Sequence, residues 1–169
     1  MKYITLLVLI AIMLSGCSSS SSTQPEETAP TISLKPEDVQ LTEGQTTAIR
    51  LQLDLLDQAV FGISLRIDYL PVLVAFDESS DFILGSYFGN NAVSFVKSEG
   101  NSIYLTFSRI QGQEPVSGAG TVCTLSFTAQ GKGMGYIEIP ESEIHFYNSD
   151  GNAISISSLV IEETEIKIQ

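Results

Sequence analysis

Tryptophan is absent from this 169-residue chain, histidine occurs once, cysteine twice, and only 8 Lys plus Arg stand against 20 Asp plus Glu. Each shortage excludes something. Without tryptophan, a flat platform for stacking sugars has to be built from tyrosine, a ring with an apolar body and a polar tip. A formal net charge of −12 repels phosphate backbones and anionic lipid heads, which removes nucleic acid from the partners to consider. The acids are spread along the chain and form no acidic tail, so their plain role is solubility. Two cysteines make no disulfide framework. The single histidine, His145, alternates with Ile144 and Phe146 and therefore points away from a core, as a surface residue does. No serine-elbow pattern is present. Adjacent acids such as Asp77/Glu78 and Glu162/Glu163 point to opposite faces of a strand and cannot act as a pair. Asn148-Ser149-Asp150-Gly151-Asn152 lacks the leading Asp and the downstream Glu of a calcium loop and reads as an Asp-Gly turn. Nothing in the spacing of Asp77, Glu78 and Asp81 supports a calcium site either. No catalytic residue, cofactor or metal site is expected, and the chain reads as a non-enzyme.

Long apolar runs are also scarce. Ile4 to Leu14, after the basic Lys2, has the length of a signal-peptide core and is too short to span a bilayer. It ends in Leu14-Ser15-Gly16-Cys17, which resembles the bacterial lipoprotein cleavage box. That resemblance implies removal of residues 1–16 and lipid on Cys17. Two or more acyl chains anchor stably without a transmembrane helix. Residues 17–30 then form a tether: five serines, followed by Thr23-Gln24-Pro25-Glu26-Glu27-Thr28-Ala29-Pro30, with no side chain large enough to pack. A coil of this length spans roughly 20 Å, at about 5–6 Å per root residue. The expectation is a domain at 31–169, held outside the cytoplasm on the membrane of a bacterial envelope.

What the domain does have is alternation. Phe61, Ile63, Leu65, Ile67 and Tyr69 alternate with Gly62, Ser64, Arg66 and Asp68, the pattern of a strand with one buried face. Thr121–Ala129 repeats it, with Cys123, Leu125 and Phe127 inward and Val122, Thr124 and Ser126 outward. Cys123 is thus a small core residue with no nucleophilic role. Further strands are expected at Thr31–Leu34, Val39–Leu41, Thr46–Leu56, Val72–Phe76, Ala92–Lys97, Ser102–Ser108, Met134–Ile139, Glu143–Tyr147, Ala153–Val160 and Glu163–Ile168. Glu99-Gly100-Asn101 and Asp150-Gly151-Asn152 supply turns. The loop from Asp77 to Asn91 carries Phe82, Ile83, Leu84, Tyr87 and Phe88 and is expected to pack across an end of the domain. No helix is predicted. The class is all-β, a sandwich or jelly roll of about nine or more strands.

Five segments in order resemble the cohesin family: Glu43-Gly44-Gln45-Thr46, Phe61-Gly62 with Tyr69-Leu70-Pro71, Gly85-Ser86-Tyr87-Phe88, Gly118-Ala119-Gly120-Thr121-Val122, and Phe146 to Asn152. The likeness runs from Ile32 to Ile168. Cohesins are non-catalytic receptor modules that dock dockerins in polysaccharide-degrading complexes, and they share a superfamily with cellulose-binding modules. The resemblance implies a protein partner of dockerin type, docked on a flat face made by the Phe61–Tyr69, Ser102–Ser108 and Thr121–Ala129 strands. Its expected residues are Gly62, Ser64, Arg66, Tyr104, Thr106, Val122, Thr124 and Ser126, depleted in charge and anchored by one Tyr and one Arg. The expected setting is extracellular polysaccharide degradation or cell-surface attachment. Two departures stand out: Leu70 precedes the proline where the family has Asp, and Gly62 and Ser64 stand where cellulosomal cohesins carry Asn and Asp. The alternatives are direct polysaccharide binding on the outward Tyr104 and Tyr147, with Tyr87 and Tyr136 in turns or edges, and a structural envelope lipoprotein.

Overall fold

The computed structural model describes residues 29–55 and 57–169. The expected leader at 1–16, the lipidation site Cys17, most of the 17–30 tether, and Leu56 at the end of one expected strand lie outside the described residues. Fourteen strands follow in chain order among the described residues: β1 (Thr31–Pro36), β2 (Gln40–Leu41), β3 (Thr46–Asp54), β4 (Gly62–Asp68), β5 (Val74–Ala75), β6 (Phe82–Leu84), β7 (Val93–Glu99), β8 (Ser102–Ser108), β9 (Ala119–Ala129), β10 (Gly133–Ile137), β11 (His145–Tyr147), β12 (Ala153–Ile154), β13 (Val160–Glu162) and β14 (Thr164–Ile168).

Alternation decides which side of each strand is buried. On β3, Ile49, Leu51 and Leu53 are buried, while Arg50, Gln52 and Asp54 reach outward. On β4 and β8 the inward residues meet in register, Ile63 opposite Phe107 and Leu65 opposite Leu105. These strands fall into two main sheets. One runs β12-β11-β4-β8-β7; the other runs β13-β1-β3-β9-β5, with β6 also paired to β9. Their inner faces close on one core. Aromatic rings bind it together: Phe107 lies between Phe82 and Phe88, at centroid distances of 6.2 and 6.3 Å, and Phe127 lies between Tyr69 and Phe76 at 5.6 Å from each. Cys123 is buried in this core as expected, and burial pushes its thiol far up. A third small sheet, β10-β14-β2, closes one end.

Several expected elements change shape. The expected strand Glu143–Tyr147 starts at His145, because Glu141–Glu143 form a 3-10 turn after Pro140, with the Glu143 N–H bonded to the Pro140 carbonyl at 2.9 Å. The expected strand Ala153–Val160 is two pieces. Ser158 sits at φ 57°, the left-handed region, and there the chain leaves the first sheet at β12 and enters the second at β13. Within the Asp77–Asn91 loop, β6 pairs Phe82 with Leu125 and extends the second sheet along β9. After β6 the backbone crosses β9 so closely that a Cβ on Gly85 would lie 2.2 Å from the Thr121 carbonyl oxygen. Tyr87 and Phe88 are buried behind it.

Candidate functional site

The outward face of the first sheet is set by register. Across β11, β4, β8 and β7 one row reads Tyr147, Gly62, Ser108, Val93, and the next His145, Ser64, Thr106, Phe95. The rows beyond are Arg66, Tyr104, Lys97, then Asp68, Ser102, Glu99. Gly62, Ser64, Arg66, Tyr104 and Thr106 are thus brought together on one face, as the sequence predicts, with Tyr147 and the exposed His145 beside them.

Val122, Thr124 and Ser126 are not on it, which corrects the expected face. Strand β9 belongs to the opposite sheet, since Leu125 and Phe127 fill the same core from the other side as Ile63 and Leu65. Thr124 and Ser126 face out there, opposite Arg50 and Ala48 on β3. Val122 is not outward at all: it is 1% exposed. A β-bulge puts Leu51 opposite Cys123 and Gln52 opposite Thr121, leaving Val122 as the extra residue, and its carbonyl accepts the Gly85 N–H at 2.8 Å.

Two exposed residues of the first sheet's outward face lack any signal in alternation alone. Val93 and Phe95 of the edge strand β7 are 60% and 58% exposed, more than Tyr104 at 41%. The usable signal is the hairpin at Gly100: with Glu99 opposite Ser102, register counting places Phe95 opposite Thr106, on the outward side. Polar groups at the other end are fixed. Arg66 Nε lies 3.0 Å from Asp68 Oδ1, its Nη2 donates to Asp68 Oδ2 at 3.1 Å, and its Nη1 lies 3.3 Å from Glu143 Oε1. The hydrogen bond to Asp68 is the main cause of an Arg66 pKa raised above its already high value. Ser102 Oγ donates to the same Asp68 carboxylate at 2.6 Å. Tyr147 OH and Ser64 Oγ share a hydrogen bond at 3.3 Å, so the Tyr147 ring edge is tied to the sheet. Between these groups lies a shallow depression of about 120 Å³, lined among others by Ser64, Arg66, Tyr104, Thr106 and His145. The face is flat, half apolar and half hydroxyl, with its charges gathered at the Asp68 end.

The segments around Asn148 and Asp77 are turns closed by their own side chains. Asn148 Oδ1 accepts the N–H of Asp150 at 3.0 Å and of Asn152 at 2.9 Å, closing the β11–β12 hairpin. Asp77 Oδ1 accepts from the Ser79 amide and hydroxyl, which holds its carboxyl below the usual range. Among the described residues no group of three His, Cys, Asp or Glu is placed to hold a metal ion.

No family model matches the sequence, and no curated protein matches it. Solved structures do. A non-cellulosomal cohesin from the hyperthermophilic archaeon Archaeoglobus fulgidus superposes with a TM-score of 0.66 at 18% identity, covering 84% of this chain and 92% of that one. A type II cohesin domain from the cellulosome of Acetivibrio cellulolyticus gives 0.68 at 13% identity, covering 82% and 95%. A type II cohesin–X-dockerin complex from the same organism gives 0.66 at 17%, covering 83% and 99%. At such identities the likeness is one of fold, and the fold is a cohesin-like jelly roll.

Proposed function

We propose that this cohesin-like domain is a non-catalytic docking module whose partner is a protein, received on the outward face of β11, β4, β8 and β7. The observation that carries the reading is the composition of that face. In a chain with 20 acids, the half bearing Val93, Phe95, Tyr104, Thr106, Ser108, Gly62, Ser64 and Tyr147 holds no carboxylate. Exposed aromatics in a charge-poor centre with a charged rim are the make-up of an interface core. The outward side of the other sheet differs: it carries the ion pairs Lys35–Glu162 and Arg50–Glu37 together with Asp54. One of the superposed structures is a cohesin bound to a dockerin, which supports a dockerin-like partner. With Gly62 and Ser64 in place of Asn and Asp, the partner's helix meets apolar and hydroxyl surface, so its own contact side is apolar.

The leader, the Cys17 box and the serine tether support display on a bacterial membrane, within an extracellular polysaccharide-processing or surface-attachment system. The test is calorimetric titration of the full chain with a panel of dockerin domains. Binding by at least one is expected, weakened about tenfold or more in Phe95→Ala and in Tyr104→Ala and unchanged in Thr124→Lys on the opposite sheet. Binding sensitive to Thr124→Lys and indifferent to both aromatic changes would overturn the assigned face. Failure of every dockerin would overturn the partner.

A further inference from the structure

Where β4 ends, Asp68 and Glu138 exchange backbone hydrogen bonds, the Asp68 N–H at 2.9 Å and the Glu138 N–H at 3.0 Å. This bridge joins the docking sheet to β10. Beside it opens a cavity of about 290 Å³ whose lining is part apolar and part polar. Met134, Tyr136 and Glu138 alternate with buried Gly135 and Ile137 and so project to one side, Tyr136 and Met134 being 57% and 58% exposed. Leu70, half exposed, also lines it, near Gly135, where a Cβ would lie 2.7 Å from Leu73 Cδ1 and 3.0 Å from Leu70 Cδ1. Asn101 adds to the polar part, and neither its side chain nor that of Glu138 makes a hydrogen bond or ion pair among the described residues. The Tyr136 hydroxyl makes none either. Asp68 differs, being spent on Arg66 and Ser102.

We infer that this cavity is a binding site for a neutral sugar ring of a polysaccharide. A pyranose presents C–H groups on its faces and hydroxyls around its rim. An exposed tyrosine flanked by Met134 and Leu70 meets the first kind of surface. The Glu138 carboxylate, an acceptor only, and the Asn101 amide, both donor and acceptor, meet the second. The cavity is at the small end of the range for ligand sites, about 300–1,000 Å³, which suits one or two rings of a chain passing over it. The charge of the molecule selects among sugars: a net −12 surface, with Glu138 in the wall, repels uronate polymers and leaves neutral ones. This site is separate from the sugar platform that alternation suggests at Tyr104 and Tyr147. There, Tyr147 is tied to Ser64 and Tyr104 stands between Arg66 and Lys97.

The experiment is titration of the full chain with cellohexaose, xylohexaose, mannohexaose and a galacturonate hexamer, read by calorimetry and by amide NMR shifts. Binding of at least one neutral hexamer is expected, with shifts centred on Asn101 and residues 134–138 and none from the galacturonate. Tyr136→Ala should weaken it about tenfold or more, Tyr136→Phe by less than about threefold, and Tyr104→Ala not at all. Should Tyr136→Ala fail to fold, Glu138→Gln serves in its place, with a loss of about threefold or more expected. Silence from all three neutral hexamers, shifts centred on Phe95 and Tyr104, or undiminished binding in Tyr136→Ala and Glu138→Gln would each overturn the inference. A dockerin titration that succeeds while the sugars fail would leave the docking face standing and remove this site alone.

Discussion

Gly62 has no side chain because the strand pair leaves no room for one. A Cβ there would lie 2.8 Å from the Phe107 carbonyl oxygen, a backbone atom that cannot swing aside. The bare backbone between Tyr147 and Ser108 is therefore a consequence of how tightly β4 and β8 approach, and it leaves that row of the first sheet without a side chain at Gly62. Gly62→Ala should cost about 1–3 kcal/mol, as an overpacked site does, measured by chemical denaturation. An unchanged midpoint would mean that β8 yields without strain. Arg66 is the opposite case, a long side chain with little freedom. Two carboxylates hold its guanidinium, so it offers a partner a fixed plane of donors with its charge largely balanced.

Edges are the vulnerable part of any sheet, and β7 is the outer strand of the first sheet. The Asp77–Asn91 loop guards it. Glu78 accepts the Ser98 N–H and pairs with Lys97 at 3.4 Å, and these contacts, the backbone bond first, hold its carboxyl below the usual range. Asp77 is lowered as well, by Ser79. A carboxylate whose folded pKa is depressed stabilises the fold above its unfolded value and loses that contribution as pH falls through the folded one. Thermal melts should therefore fall on acidification from about pH 4.3, the unfolded Glu value, downward. Glu78→Gln should melt lower at pH 7 and show a shallower decline in acid. Parallel melting curves for the variant and the parent would sink this account of the edge.

For the molecule as a whole, the outward faces of the two sheets point in opposite directions, and Ala29 and Pro30 lie against the second. Pro30 accepts the Val160 N–H at 2.8 Å, at the start of β1 in the second sheet. The proposed docking face lies on the first sheet, so Ala29 and Pro30 stand on the opposite side of the sandwich from it. If Cys17 carries lipid, mass spectrometry of the native amino terminus should find acyl groups on it, and Cys17→Ser should move the protein from the membrane to the soluble fraction. An unmodified Cys17, or a variant that stays membrane-bound, would remove the anchor without touching the fold.

Alternation alone determined most of the elements. Ile63/Leu65/Ile67, Ile103/Leu105/Phe107 and Cys123/Leu125/Phe127 each bury every second residue, because a strand between core and solvent has no other pattern open to it. It also determined that Tyr104, Tyr147 and His145 face outward. It could not determine which strands are neighbours: β4 and β9 read alike, yet they cover the core from opposite sides, so Gly62, Ser64, Arg66, Tyr104 and Thr106 share one face while Val122, Thr124 and Ser126 do not join it. Pairing is a long-range choice made when all the apolar faces close together, and period two carries no record of the partner. Nor could it foresee the bulge that buries Val122, the left-handed Ser158 that splits a strand, or the approach of Leu70 to β10 that shapes the cavity at Tyr136. Each is a local exception that only contact with a distant segment makes favourable.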